Sequence, residues 1–203
     1  MSKMAKGTIL TPEQQLERRR EIKNTTLQLF AKKGFRKTSM REISKALGMG
    51  KSSIYDFFES KDEIVVFAFE ETMVAVVEKT KKISASDLPP DESLREIMRN
   101  DLAYTKENKH LIGWLNAEVS YLEKPYQKRL HDVRHQYQSI IQAVIDKGIN
   151  LGLFRETNSL LATKLLINSM ISIAYTSRLT GTMEEMLEEA MNIFLYGIEN
   201  TNK

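Results

Sequence analysis

Thr38-Ser-Met-Arg-Glu-Ile-Ser-Lys-Ala-Leu-Gly-Met-Gly-Lys-Ser-Ser-Ile-Tyr-Asp-Phe-Phe-Glu-Ser-Lys61 is the stretch whose reading decides the fold. Ser39, followed three residues later by Glu42, is a capping-box pattern, so a helix starts here. Ile43 and Leu47 give that helix an apolar edge. Gly48 ends it, because glycine adopts the positive φ that reverses the chain. A second short helix is expected over 51–58, with Ile54 and Phe58 one turn apart. Two short helices meeting at Leu47-Gly48-Met49-Gly50 form a helix-turn-helix. Met49 is expected to fill the space between them, beside Ile43, Leu47 and Ile54.

This packing leaves Lys51, Ser52, Ser53 and Tyr55 on the exposed front of the second helix. Small hydroxyls there let a helix sit deep in a major groove, and Lys51 can reach a guanine edge or a phosphate. Tyr55 offers a hydroxyl to the nucleic-acid backbone. Thr38 and Ser39 lie at a helix N-terminus, where free N–H groups and hydroxyls favour phosphate. Arg41 projects from the first turn toward the same surface, and Lys61 is expected to contact a phosphate from the start of the next helix. Lys3, Lys6 and the Arg18-Arg19-Arg20 cluster are further candidate phosphate contacts, with a solvated helix face as the competing reading.

Charge partitions in the same way. The 203 residues carry a net charge of +3, but residues 1–61 hold 14 basic and 6 acidic side chains, a net +8. The remaining 142 residues hold 16 basic and 21 acidic, a net −5. A basic head on an acidic body points to a polyanion-binding module joined to a second function. The expected boundary divides a DNA-binding domain, 1–61, from a helical body, 62–203.

Helical signals cover nearly the whole chain. Thr11-Pro12-Glu13 is a cap with proline at the first helical position, and Gly34 stops the helix it opens, expected over 12–33. Ser60 caps a long helix expected over 61–82. Leu88-Pro89-Pro90 with a cap at Asp91 is the clearest break. Helices follow at about 92–108, 110–122, 125–150, 159–179 and 183–200. The expectation is an all-α protein of about nine helices, with no repeat and no strand-like alternation.

Phe30-Ala-Lys-Lys-Gly-Phe35, then 38–43, then Gly48-Met-Gly-Lys-Ser-Ser-Ile-Tyr-Asp-Phe-Phe-Glu-Ser-Lys61, closely resembles the DNA-binding region of the TetR family of transcriptional regulators. The match covers roughly the first third of the chain with its elements in order. The resemblance implies a homodimer in which each subunit has a three-helix DNA head and a helical ligand-binding and dimerisation body. It also implies a repressor rather than an activator, reading a palindromic operator. Two positions depart from the family pattern: Phe57 stands where histidine is common, and Asp56 places an acid within the recognition segment.

Two heads reading half-sites about 34 Å apart require a dimer. On the last two helices, Leu161, Leu165, Asn168, Ser172 and Tyr175 form one stripe, and Met186, Ala190, Ile193, Phe194 and Gly197 another. The resemblance implies that these helices pair with their symmetry mates in a four-helix bundle; intrachain core is the competing reading. For the chamber of an unidentified small-molecule effector, Tyr104, His110, Trp114, Glu118 and Tyr121 are the candidate lining, with Met170, Ile173 and Arg178 approaching from a later helix.

Other functions find little support. The absence of cysteine excludes a disulfide scaffold, thiolate catalysis and cysteine-ligated metal. His131 and His135 have i, i+4 spacing, but Asp132 breaks the zinc-protease order and no third ligand is evident. There is no phosphate-cradling glycine loop and no nucleophile elbow, so neither catalysis, cofactor nor metal is expected. Residues 1–11 lack the apolar run of a signal peptide and no segment reaches membrane-span length, so a cytoplasmic protein is expected. The alternatives are a nonspecific DNA binder and a helical protein-interaction module without a small-molecule ligand.

Overall fold

A computed structural model describes residues 10–109, 111–113 and 119–198. Among these residues are seven α-helices described along their whole length, a further helical stretch at 111–113, one 3₁₀ turn at Val119–Tyr121, and no strand. The helices are α1 (Pro12–Lys33), α2 (Met40–Ala46), α3 (Lys61–Ser84), α4 (Pro90–Glu107), α5 (Lys124–Asn150), α6 (Ser159–Tyr175) and α7 (Met183–Ile198). The chain forms two compact units. The first runs to Phe69 and includes Leu122–Tyr126; the second comprises Glu70–Tyr121 and the chain from Gln127 onward.

The first unit is built by local stop and start signals. Thr11 and Gln14 make a reciprocal capping box at the head of α1, with proline in its first turn. Gly34, at φ 82°, closes the helix by donating its N–H to the Phe30 carbonyl at 2.8 Å. Ser39 and Glu42 form the second capping box. The Glu42 carboxylate also accepts from Lys33 at 2.8 Å. That bond and the Ser39 N–H hold its pKa at about 2. Gly48, at φ 64°, ends α2 in a Schellman motif: its N–H donates to Lys45 and that of Met49 to Ser44. Ile22, Ile43, Ile54, Phe58 and Ile64 then form a buried cluster, with Leu29, Leu47, Met49, Phe57 and Phe67 packed on it.

The segment expected as a helix over 51–58 is instead a run of tight turns. Most of its bonds step by three residues, from Ser53 to Gly50, Tyr55 to Ser52 and Phe57 to Ile54, while the Phe58 N–H reaches Ile54 across four. Ser52 and Ser53 compete with the backbone for hydrogen bonds, and three-residue turns suit so short a segment. The sidedness survives: Ile54 and Phe58 are buried while Lys51, Ser52 and Tyr55 are exposed.

In the second unit, α4 packs against α6 and α7. Leu94, Ile97, Met98 and Leu102 supply the α4 face of that core; Leu166 and Met170 come from α6, and Leu187 and Met191 from α7. Arg95 and Arg99 tie α4 to α7 through Glu188, at 2.7 and 2.8 Å. Arg155 closes the end of α7, its backbone N–H donating to the Ile198 carbonyl at 2.7 Å and its Nε to Gly197 at 2.8 Å.

Several boundaries move. α4 begins at Pro90, with Pro89 rather than Asp91 in the cap position. α6 stops at Tyr175 instead of 179, because Thr176 is extended and its hydroxyl accepts from the Arg178 N–H. Of the helix expected over 110–122, residues 111–113 are helical and Val119–Tyr121 form the 3₁₀ turn.

Candidate nucleic-acid interface

Lys51 and Tyr55 lie four residues apart on the exposed side of the turn run. With Thr38, Ser39, Arg41 and Lys61 they line a single open concavity of about 540 Å³, whose walls also include Arg36, Met40, Glu59, Ser60 and Asp62. Six of the eight residues expected to contact DNA are therefore gathered in one place. Ser52 is exposed and Ser53 half-buried on the same run of turns, outside this concavity. Arg36 is a wall residue that the motif reading does not single out, although its position in the basic α1–α2 turn is the signal for it.

The side chains are not equally available. Arg41 and Lys51 are exposed. The Ser39 hydroxyl is committed to Glu42, accepting its N–H at 3.3 Å. Thr38 is buried, and its hydroxyl donates to the Gly34 carbonyl at 2.9 Å. Lys61 turns inward: its ammonium donates to the carbonyls of Phe35 at 2.9 Å and Thr38 at 3.2 Å and sits 4.1 Å from the Phe35 ring centroid. Burial lowers its pKa, and the charge of Asp62 partly offsets that. Phe57 packs on the head core, whereas Asp56 is exposed.

The basic cluster of α1 is largely used within the head. Arg18 pairs with Glu21. Arg19 lies over the rings of Phe58 and Phe67 at 4.2 and 4.6 Å and bonds Glu63 at 2.9 Å. Arg20 is paired more loosely, with Glu17 at 4.0 Å. Lys3 and Lys6 fall outside the described residues.

The candidate effector residues that are described lie at different depths. His110, Trp114 and Glu118 lie outside the described residues. Tyr104 is half-buried, its hydroxyl donating to Thr72 at 3.1 Å. Tyr121 is 64% exposed, Met170 fully buried, Ile173 half-buried and Arg178 exposed after α6. An open groove of about 520 Å³ in this unit is lined by Arg95, Asn192, Ile193, Leu195 and Tyr196.

Sequence reasoning misses the polar group inside the second unit. Asp101, on the buried face of α4, lies beside the Tyr137 hydroxyl of α5. Burial raises its pKa to about 6, and Tyr137 partly counteracts the shift. Burial and the Asp101 charge push Tyr137 and Tyr104 upward in turn. The signal was present: Leu94, Ile97, Met98, Asp101, Leu102 and Thr105 follow helical spacing, with a carboxylate inside an apolar stripe.

Of the stripes expected to face a second copy, Leu161, Leu165 and Ile193 are 54%, 58% and 67% exposed, and Ser172 and Gly197 are also exposed. Ala190 and Phe194 are half-buried. Met186 is buried within its own unit, because it shares the inward face of α7 with Leu187 and Met191. Tyr175 is half-buried and donates its hydroxyl to the Lys109 carbonyl. His131 and His135 are exposed and their rings stack at 6.1 Å. No cluster of three or more metal-ligating side chains occurs among the described residues. No described helix is long and apolar enough to cross a membrane.

A capped helix, a glycine reversal and a run of turns that together present Arg41, Lys51 and Tyr55 at one concavity are the geometry of a DNA-facing head, and comparison with known proteins gives the family. Residues 22–66 match the family described as bacterial regulatory proteins, tetR family, and residues 87–198 match the tetracyclin repressor-like C-terminal domain. The chain belongs to the TetR family of transcriptional regulators. It is 18% identical to the fatty acid metabolism regulator protein of Bacillus subtilis over 67% of this chain and 70% of that one. It is 26% identical to the transcriptional repressor KstR2 of Rhodococcus jostii over 68% of each chain. The crystal structure of AibR in complex with isovaleryl coenzyme A and operator DNA has the same fold, with a TM-score of 0.71, 19% identity, and coverage of 87% of this chain and 97% of that chain.

Proposed function

We propose that the protein is a ligand-responsive repressor that binds a palindromic operator as a homodimer and is released by a small molecule held in its second unit. The observation that carries this reading is the convergence of Thr38, Ser39, Arg41, Lys51, Tyr55 and Lys61 on one concavity. Lys51 and Tyr55, with Ser52 and Ser53 beside them, face the major groove. Arg41 holds a flanking phosphate, with Thr38 and Ser39 shaping the same wall of the concavity. DNA recognition belongs to about the first 61 residues, and sensing and dimerisation belong to residues 62–203. No catalytic step is assigned to either part, and the protein works in the cytoplasm.

The exposed apolar side chains Leu161, Leu165 and Ile193 support an isologous α6–α7 dimer face. Ser172 and Gly197 on the same helices permit close approach. An effector that binds better to a differently spaced dimer lowers operator affinity by shifting the population. The continuous helix α3, which begins in the head and supplies residues to both units, is the element suited to transmit that shift. An acyl thioester is the first effector to test, since AibR, of the same fold, is seen with isovaleryl coenzyme A.

Fluorescence anisotropy of the full chain on duplexes recovered from a genomic fragment selection tests the reading. Saturable binding that weakens on adding a compound shown by calorimetry to bind the protein supports it. Equal affinity with and without that bound compound removes the ligand-responsive half of the proposal.

A further inference from the structure

Lys61 occupies an electrostatically awkward place. It is the first residue of a 24-residue helix, where the helix dipole favours acids, as the neighbouring Asp62 and Glu63 illustrate. A cation kept there needs a compensating partner. That partner is the turn between α1 and α2, whose Phe35 and Thr38 carbonyls accept from the ammonium at 2.9 and 3.2 Å. The Phe35 ring adds a cation–π contact at 4.1 Å. Phe35 itself is buried and packs edge-on against Phe30 at 5.1 Å between centroids.

The turn held in this way positions the start of α2. Its Phe35 carbonyl also accepts the Thr38 N–H at 3.1 Å, and the Thr38 hydroxyl bonds back to Gly34. Ser39, the cap of α2, follows directly. We infer that Lys61 is a positioning residue: its ammonium ties the first turn of α3 to residues 35–38, and so fixes Thr38, Ser39 and Arg41 against Lys51 and Tyr55 on the DNA-facing concavity. Its contribution to DNA binding comes through this placement, in contrast to the phosphate contact that its charge and sequence position suggest.

The two roles predict different salt behaviour. Removing a phosphate contact flattens the dependence of log affinity on log salt by about one unit, so the defect fades at high salt. Removing a tether lowers affinity by a similar factor at every salt concentration and leaves the slope alone. Gln and Met separate the roles further, because a Gln amide can still donate to a carbonyl whereas Met cannot, and neither carries charge.

The inference rests on the DNA-binding reading for its functional half, so one arm of the test needs no DNA. In the DNA-free full chain, Lys61→Met should speed amide exchange at Thr38 and Ser39 at least tenfold while amides within α1 stay protected, and Lys61→Gln should fall between Met and wild type. Unchanged exchange at Thr38 and Ser39 in Lys61→Met would overturn the tether. On a duplex recovered by selection, Lys61→Met should weaken binding about tenfold at each salt concentration with the slope retained, and Lys61→Gln should recover part of the loss. A slope lower by about one, with Gln and Met equally impaired, would overturn the inference and return Lys61 to phosphate. If Lys61→Met does not fold, the comparison of Lys61→Gln with wild type decides by the same two readouts. If wild-type protein binds no duplex, the regulator reading fails and the exchange arm alone decides the tether.

Discussion

The backbone N–H of Met49 donates to the carbonyl of Ser44 at 2.9 Å, a bond available only because Gly48 between them takes φ 64°. This one reversal ends α2 and directs Met49 into the head core, leaving the following turns to present Lys51 and Tyr55. A Cβ at position 48 would meet nothing within 4 Å, so the cost of substitution is purely conformational. Gly48→Ala should lower stability by about 1 kcal/mol, and Gly48→Asn by less, since asparagine tolerates the left-handed region. Chemical denaturation of the full chain, followed by a probe in the first unit, checks both values and their order.

Arg19 should behave as a structural residue. Its guanidinium covers Phe58 and Phe67 and is bonded to Glu63, which also accepts the Glu59 N–H at 2.8 Å. Arg19→Ala uncovers the two rings and leaves that carboxylate short of a partner. The expected loss is roughly 1–2 kcal/mol of head stability. The salt slope of DNA binding should be unchanged; a slope lower by about one would instead place Arg19 on a phosphate.

Asp101 makes stability depend on pH. Its folded pKa is about 6 against an ordinary 3.8, so between these values the folded state binds the proton more tightly than the unfolded state. Stability contributed by the protonated carboxyl is therefore full below about pH 4 and is lost as pH rises through 6. Asp101→Asn removes that loss. At pH 7.5 the variant should be more stable than wild type by up to roughly 3 kcal/mol, and the gap should close below pH 4. Thermal melts of both proteins from pH 3.5 to 8 measure it.

Gly148 and Phe154 should be coupled. A Cβ at Gly148 would overlap the ring carbons of Phe154, which is itself buried. Gly148→Ala should cost about 1–3 kcal/mol through overpacking. Combined with Phe154→Leu, the total should fall short of the two separate losses, because the smaller side chain leaves room for the methyl. A double-mutant cycle by urea denaturation reads the coupling.

The parts of this architecture that the sequence discloses are those encoded within three or four residues. Thr11 before Pro12, Ser39 with Glu42, and the stops at Gly34 and Gly48 are legible because capping and left-handed turns are local chemistry. The sidedness of 51–58 is legible from Ile54 and Phe58, but not its backbone form, where local serine chemistry in a short segment overrides the helical period. Direction is what a sequence withholds. Lys51 and Lys61 are both lysines flanking the same motif, yet one points outward and the other inward to two carbonyls, a difference set by the position of the 35–38 turn across the head. The same holds for two candidate effector residues: adjacent helical stretches bring Tyr104 and Tyr121 together as candidates, while the chain places one half-buried against Thr72 and the other in solvent.

The most direct test of the central claim is to pass a genomic fragment library over the full-length protein at near-physiological salt and sequence what is retained. A regulator acting through the Thr38–Lys61 face should retain fragments sharing an inverted repeat, with half-site centres about 34 Å or a multiple of that apart. Lys51→Ala should lose or alter that preference. Retained fragments with steep salt dependence but no common repeat, or no salt-dependent retention at all, would contradict the account.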